Sequence, residues 1–137
     1  GNISASKTAF EQFLFFHPNE PDSQFGLGLI ALEEGNLDQA KHSFQSAIDS
    51  PESSIPIQAK SHARLGDVYM QRGNLNRAYR LYQTSVEENP DLYEAWYRLA
   101  QTCNRLGLEE EAKEALQQFE LARNRVRPDL QPTRFPE

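Results

Sequence analysis

LGDVYMQRGNLNRAYRLYQTS, running from Leu65 to Ser85, decides the fold, because the chain carries it three times. The other copies are LGLIALEEGNLDQAKHSFQSA from Leu27 and LAQTCNRLGLEEEAKEALQQF from Leu99. The starts are 38 and 34 residues apart, within the short-period range of helical solenoids. In the middle copy His62, Leu65, Gly66 and Tyr69 recur at i, i+3, i+4 and i+7, the stripe of one buried helical face. This predicts a helix over 56–72. Gly73 then offers a left-handed residue at little steric cost, and Asn74 can accept the free N–H groups of a second helix over 75–88, which stops before Pro90. On that second helix Leu75, Ala78, Tyr82, Ser85 and Val86 share one side. Gly66 and Ala78 are small where the two helices must approach.

The first copy matches through Leu27, Gly28, Ala31, Gly35, Asn36, Leu37, Ala40, Phe44, Ala47 and Ile48. The third matches through Trp96, Leu99, Ala100, Cys103, Gly107, Ala112, Leu116 and Phe119, with Asp91 and Glu94 expected to form a capping box at its start. Four extra residues fall around Ser50 to Pro56; they are expected to lengthen the loop or extend the next helix backwards without breaking the stack.

The pattern resembles the tetratricopeptide repeat family. The resemblance rests on Glu94-Ala95-Trp96-Tyr97-Arg98-Leu99-Ala100, on Leu65-Gly66 with Tyr69, on Gly73 with Ala78 and Tyr82, and on Pro90, and it covers residues 21–124. Departures are Ala100 where the family prefers glycine, Phe119 where it prefers alanine, and Gln24 at the register of Trp96. The resemblance implies an all-α, right-handed superhelical solenoid of antiparallel helix hairpins. It divides the chain into the second helix of a preceding repeat at 1–20, repeats at 21–58, 59–92 and 93–124, and a Pro-rich extended tail at 125–137, all one domain. It also implies a non-catalytic protein-interaction scaffold, part of a larger protein.

Composition agrees. At 137 residues and 38% apolar content, the chain suits a thin layered core better than a deep spherical one. A net charge of −6 argues against nucleic acid, whose phosphates are neutralised by a Lys/Arg surplus. No apolar run approaches the ~20 residues of a membrane span, and no signal-peptide pattern opens the chain. Gly1, standing where a Met would start a chain, agrees with a piece of a longer polypeptide.

Chemistry-bearing residues are dispersed. His17, His42 and His62 fall in different hairpins with no metal-ligand spacing. Cys103 is the only cysteine and is expected to be a small core residue. No GxxxxGK or GxGxxG phosphate loop exists, and Glu109, Glu110 and Glu111 open a helix, where they favour its dipole. No enzymatic activity, metal or cofactor is expected.

Binding is expected on the wall lined by the first helix of each pair. Its stripe carries Asp22, Phe25, Leu29 and Glu33, then Lys60, Arg64, Asp67 and Gln71, then Tyr97, Arg98, Gln101, Asn104 and Arg105. Phe25 and Leu29 offer an apolar anchor pocket. Arg64, Arg98 and Arg105 offer planar forks to carboxylates, unless Asp67 or Glu94 pairs with them first. The ligand expected is a peptide or helix with an acidic end and an apolar anchor. Some members of the family hold a C-terminal carboxylate in a Lys, Asn and Arg clamp; Lys60 and Arg64 match one pair of it, but Gly26 stands where an asparagine is needed, so that ligand is not assigned. The alternative is homo-oligomerisation, a homodimer included, through Phe10, Phe13 and Phe16, which lack the cover of a preceding helix. At the other end no closing helix is expected; Leu130 and Phe135 either fold back over the last hairpin or belong to a free linker.

Overall fold

Each repeat glycine ends a helix in the left-handed conformation, with φ of +78° at Gly35, +79° at Gly73 and +79° at Gly107. That geometry costs a residue with a Cβ roughly 1–2 kcal/mol, which is why glycine stands there. The residue after each glycine donates its N–H back to the carbonyl five residues earlier: Asn36 to Ala31 at 2.8 Å, Asn74 to Tyr69 at 2.9 Å and Leu108 to Cys103 at 2.8 Å. These bonds close the helix end and turn the chain through a tight hairpin. Asn36 and Asn74 then start the next helix, their side chains accepting from the N–H of Gln39 and of Arg77, each at 3.2 Å.

The computed structural model describes residues 2–130. Seven helices follow one another: α1 Asn2–Phe16, α2 Pro21–Glu33, α3 Leu37–Asp49, α4 Ile55–Gln71, α5 Leu75–Glu88, α6 Tyr93–Arg105 and α7 Glu109–Val126, then a 3₁₀ turn at Pro128–Leu130. Each helix packs on the next, and among the described residues there is no strand. The architecture is an all-α solenoid of helix hairpins. α4 has 17 residues against 13 in α2 and in α6, so most of the four-residue insertion is taken up as one more helical turn.

The hairpins lock by ring into notch. Phe44 on α3 and Tyr82 on α5 are fully buried, each against a glycine on the preceding helix. A Cβ on Gly28 would stand 2.5 Å from the Phe44 ring, and one on Gly66 2.7 Å from the Tyr82 ring. One apolar cluster then runs through the stack from Ala31 to Ala115.

Three expectations are corrected. The Asp91/Glu94 capping box does not form: α6 begins at Tyr93 with Leu92 in the cap position and no side-chain cap. Asp91 instead accepts from Arg125 Nε at 3.0 Å, drawn away by a cation on α7. Leu116, expected in the core, is 43% exposed, and Ala112, Ala115 and Ala122 fill the inner face of α7. Among the described residues only the short turn at Pro128–Leu130 follows α7. The aromatic row of α1 also divides. Phe10 lies against Gly26, whereas Phe13, Phe15 and Phe16 are exposed. A helix turns about 100° per residue, so a row at i, i+3, i+6 drifts by about 60° per step and Phe16 ends far from the face that Phe10 presents to α2. Leu130 is exposed, and Phe135 lies outside the described residues.

Candidate functional site

Along α2, α4 and α6 the side chains beside the core stripe meet on one wall. A cavity of about 240 Å³ opens between Phe25 of α2, Lys60, Ala63 and Arg64 of α4, and Leu92, Ala95 and Arg98 at the start and along α6, with Glu94 on its lining. Its floor is apolar and its rim cationic. The Lys60 ammonium sits 4.5 Å above the Phe25 ring, a cation–π contact, and 3.6 Å from Asp22. Phe25 also leans on Phe44, ring centres 5.6 Å apart, which fixes its orientation from the core side.

Beside it lies a second, more open cavity of about 450 Å³, lined by Leu32, Met70, Gln71, Tyr97 and Gln101 together with Asp67 and Tyr82. Arg64 and Arg98 line both cavities and form the partition between them. Asp67 holds this partition. Its carboxylate accepts from Arg98 Nη1 at 2.6 Å and from the Tyr82 hydroxyl at 2.5 Å, and lies 3.6 Å from Arg64 Nη1. Burial pushes the Asp67 carboxyl above its ordinary value, against the opposing pull of Tyr82, Arg98 and Arg64. Burial, and next the Asp67 charge, push the Tyr82 hydroxyl well above the usual phenol range, so it stays protonated and donates to Asp67. The same tyrosine that locks α5 into the Gly66 notch thereby orients the acid that holds the wall.

Of the residues anticipated on this wall, Phe25, Lys60, Arg64 and Arg98 line the first cavity, and Arg64, Asp67, Tyr97, Arg98 and Gln101 the second. Leu29 lines neither and packs partly buried against the core; Leu32, three residues on, takes the apolar place in the second cavity. Asn104 and Arg105 are exposed and line neither cavity. Tyr97 is 45% exposed with its ring 5.3 Å from Phe119 of α7. Ala63, Leu92, Ala95 and Met70 escaped the sequence reading. Ala63 and Ala95 belong to the buried core and Met70 packs against it, so their period marks them as core and not as lining, and Leu92 precedes its helix, where no periodicity points to a face.

The opposite face carries a larger hollow of about 640 Å³ between α5, α6 and α7, where Tyr79 donates to Glu111. Cys103 is only 1% exposed there. Burial, and next Glu111, raise its thiol above the ordinary value, which keeps the sulfur protonated and a poor nucleophile. His62 is half-buried and contacts Glu88 at 2.6 Å. Among the described residues no three His, Cys, Asp or Glu side chains converge as metal ligands, and no helix is long and apolar enough to cross a membrane.

Family models described as tetratricopeptide repeat match residues 1–55 and 69–130. Curated protein sequences return no match. Among solved structures, a crystal structure of MamA protein superimposes on 99% of this chain and 72% of its own, with a TM-score of 0.74 at 17% identity. The MamA RS-1 ArsTM double mutant covers 93% of this chain and 69% of its own, TM-score 0.75 at 17% identity. MamA MSR-1 C2 covers 92% and 70%, TM-score 0.69 at 17% identity. At such identities the likeness establishes the fold.

Proposed function

This chain belongs to the tetratricopeptide repeat family, and from that premise we propose that it is a non-catalytic protein-interaction module of a larger protein, holding a peptide or helix of its partner on the wall of α2, α4 and α6. The observation that carries the reading is the partition: two hollows, a smaller apolar one and a larger open one, stand on either side of Arg64 and Arg98, with Asp67 between them. The first hollow, at about 240 Å³, falls below the ~300–1,000 Å³ of small-molecule pockets but suits one anchoring side chain of a protein ligand. Its apolar floor and the guanidinium on its edge favour an apolar anchor next to an acidic group.

The test is affinity capture from native lysate with the wild-type chain and with an Arg64→Glu, Arg98→Glu double variant, after circular dichroism has matched their helicity and melting. The reading expects a partner retained by the wild type and lost by the double variant. Equal capture by both would remove this wall from the function.

The second reading is self-association through α1, favoured by Phe13, Phe15 and Phe16, exposed at 47%, 81% and 75%. Phe13→Ser with Phe16→Ser should convert any oligomer to monomer in sedimentation; an unchanged solution mass speaks against it.

A further inference from the structure

Asp67 is shared. Of its two guanidinium neighbours only Arg98 donates a hydrogen bond to it; Arg64 stays at 3.6 Å, and among the described residues its N–H groups meet no closer acceptor. Arg64 nevertheless lines both hollows and keeps about a third of its side chain accessible. Asp67 is far less accessible, its side chain 13% exposed, and the Tyr82 hydroxyl occupies its other oxygen. Of the remaining charges of the wall, Lys60 is matched by Asp22, and Glu94, on the lining of the first hollow, is exposed and among the described residues makes no ion pair with either guanidinium. Two guanidiniums against one carboxylate leave one positive charge with unspent donors, placed between an apolar socket and an open one.

We infer that Asp67 sets the number of ligand carboxylates this wall accepts, and that the number is one. The ligand class is a peptide segment with a single acidic residue beside a bulky apolar residue, the apolar side chain in the hollow of Phe25 and Leu92 and the carboxylate on Arg64. The inference rests on the reading of this wall as a protein-binding surface and adds its charge selectivity. Asp67 acts as a built-in competitor: its charge balances that of Arg98, which it holds through Nη1, so a second ligand acid meets no uncompensated guanidinium. An arginine fork suits this role because its planar donors match a carboxylate while its charge persists at every accessible pH.

The experiment is a series in which the charge of the partition is changed in steps. Capped peptides containing Leu-Asn, Leu-Asp and Leu-Asp-Asp are titrated into ¹⁵N-labelled protein, and shifts of the Ala63 and Ala95 amides are followed. Wild type should prefer Leu-Asp to Leu-Asn by about three-fold, a ratio within the range of partly exposed ion pairs, and gain nothing further from Leu-Asp-Asp. Asp67→Asn frees Arg98, and Leu-Asp-Asp should then exceed Leu-Asp by about three-fold. Arg98→Met cancels the surplus charge while leaving the Asp67–Tyr82 bond, and the preference for Leu-Asp over Leu-Asn should fall to about one. If Asp67→Asn fails to fold, Arg98→Met alone tests the count from the other direction. Unchanged ratios across these variants, with peptide binding abolished in the Arg64→Glu, Arg98→Glu double variant, would overturn the inference and leave the binding wall standing. Absence of shifts on α2, α4 and α6 with every peptide would overturn both.

Discussion

The hairpins α4/α5 and α6/α7 are one sequence pattern built in two ways. In the middle hairpin a tyrosine ring fills a glycine notch, Asn74 caps the second helix, and repeats pack on both sides. In the last, Ala100 and Leu116 stand at the registers of Gly66 and Tyr82, Leu108 takes the cap position without a side-chain bond, and Leu116, Leu121 and Val126 are exposed. The losses are paired: where the notch is filled by a methyl group, the ring that would enter it is gone. Ties to the preceding repeat take over part of the work, Arg125 to Asp91 and Tyr79 to Glu111. A repeat therefore conserves its helical turns and its hairpin geometry while the energy of the packing moves from buried rings to surface pairs. It also follows that stability and the binding wall are coupled in the middle hairpin, through Tyr82 and Asp67, and not in the last, where Gln101 holds the register of Asp67.

The largest test of that contrast is side-chain truncation. Tyr82→Ala should cost about 3–5 kcal/mol in denaturant unfolding, the range for a fully buried aromatic, whereas Leu116→Ala, at a half-exposed site, should cost about 1 kcal/mol or less. Comparable losses at the two sites would erase the distinction. Gly66→Ala comes next: its Cβ would meet the Tyr82 ring at 2.7 Å, and overpacking of this kind costs about 1–3 kcal/mol. Ala100→Gly should cost about 1–2 kcal/mol, the helix-propensity difference plus the loss of one buried methyl group. Asn74→Ala should remove about 1 kcal/mol from the middle hairpin through its cap, measured by the same titration.

The smallest effect concerns another helix start. Glu20 caps α2 by accepting from the N–H groups of Asp22 at 3.0 Å and Ser23 at 2.7 Å, whereas Leu92 gives α6 nothing comparable. Burial acts to raise the Glu20 carboxyl, but the bonds from Ser23 and Asp22 outweigh it and hold it below its ordinary value. A carboxyl lowered by folding adds stability that is present above its unfolded value and lost as pH falls through the folded one. Glu20→Gln should therefore flatten the acid side of the stability profile by about half a kcal/mol, and an unchanged profile would deny the cap its charge-dependent part.

Much of this was legible in the chain. The glycine–asparagine pairs at 35–36 and 73–74 announce a turn whose chemistry is local, and the apolar stripes follow from helical period alone, so the hairpins could be read without neighbours. The wall was legible residue by residue but not as an arrangement. That Asp67 joins Tyr82 to Arg98 depends on three helices meeting, and nothing in the local pattern ranks it above a pairing of Arg98 with Glu94, four residues away on the same helix. Asp91 misled for the same reason: it matched a local capping rule, and a distant arginine on α7 claimed it. Leu32 takes the place expected of Leu29 because it lies three residues on, nearly one helical turn nearer the second hollow, while both pack partly buried against the core.

The most direct test of the binding wall is site-specific photo-cross-linking with benzoylphenylalanine placed at Gln101, beside the second hollow, or at Gln117, on the opposite face. In native lysate the account predicts a partner adduct from position 101 and none from 117. An adduct formed from 117 alone would contradict it and move the function to the other side of the solenoid.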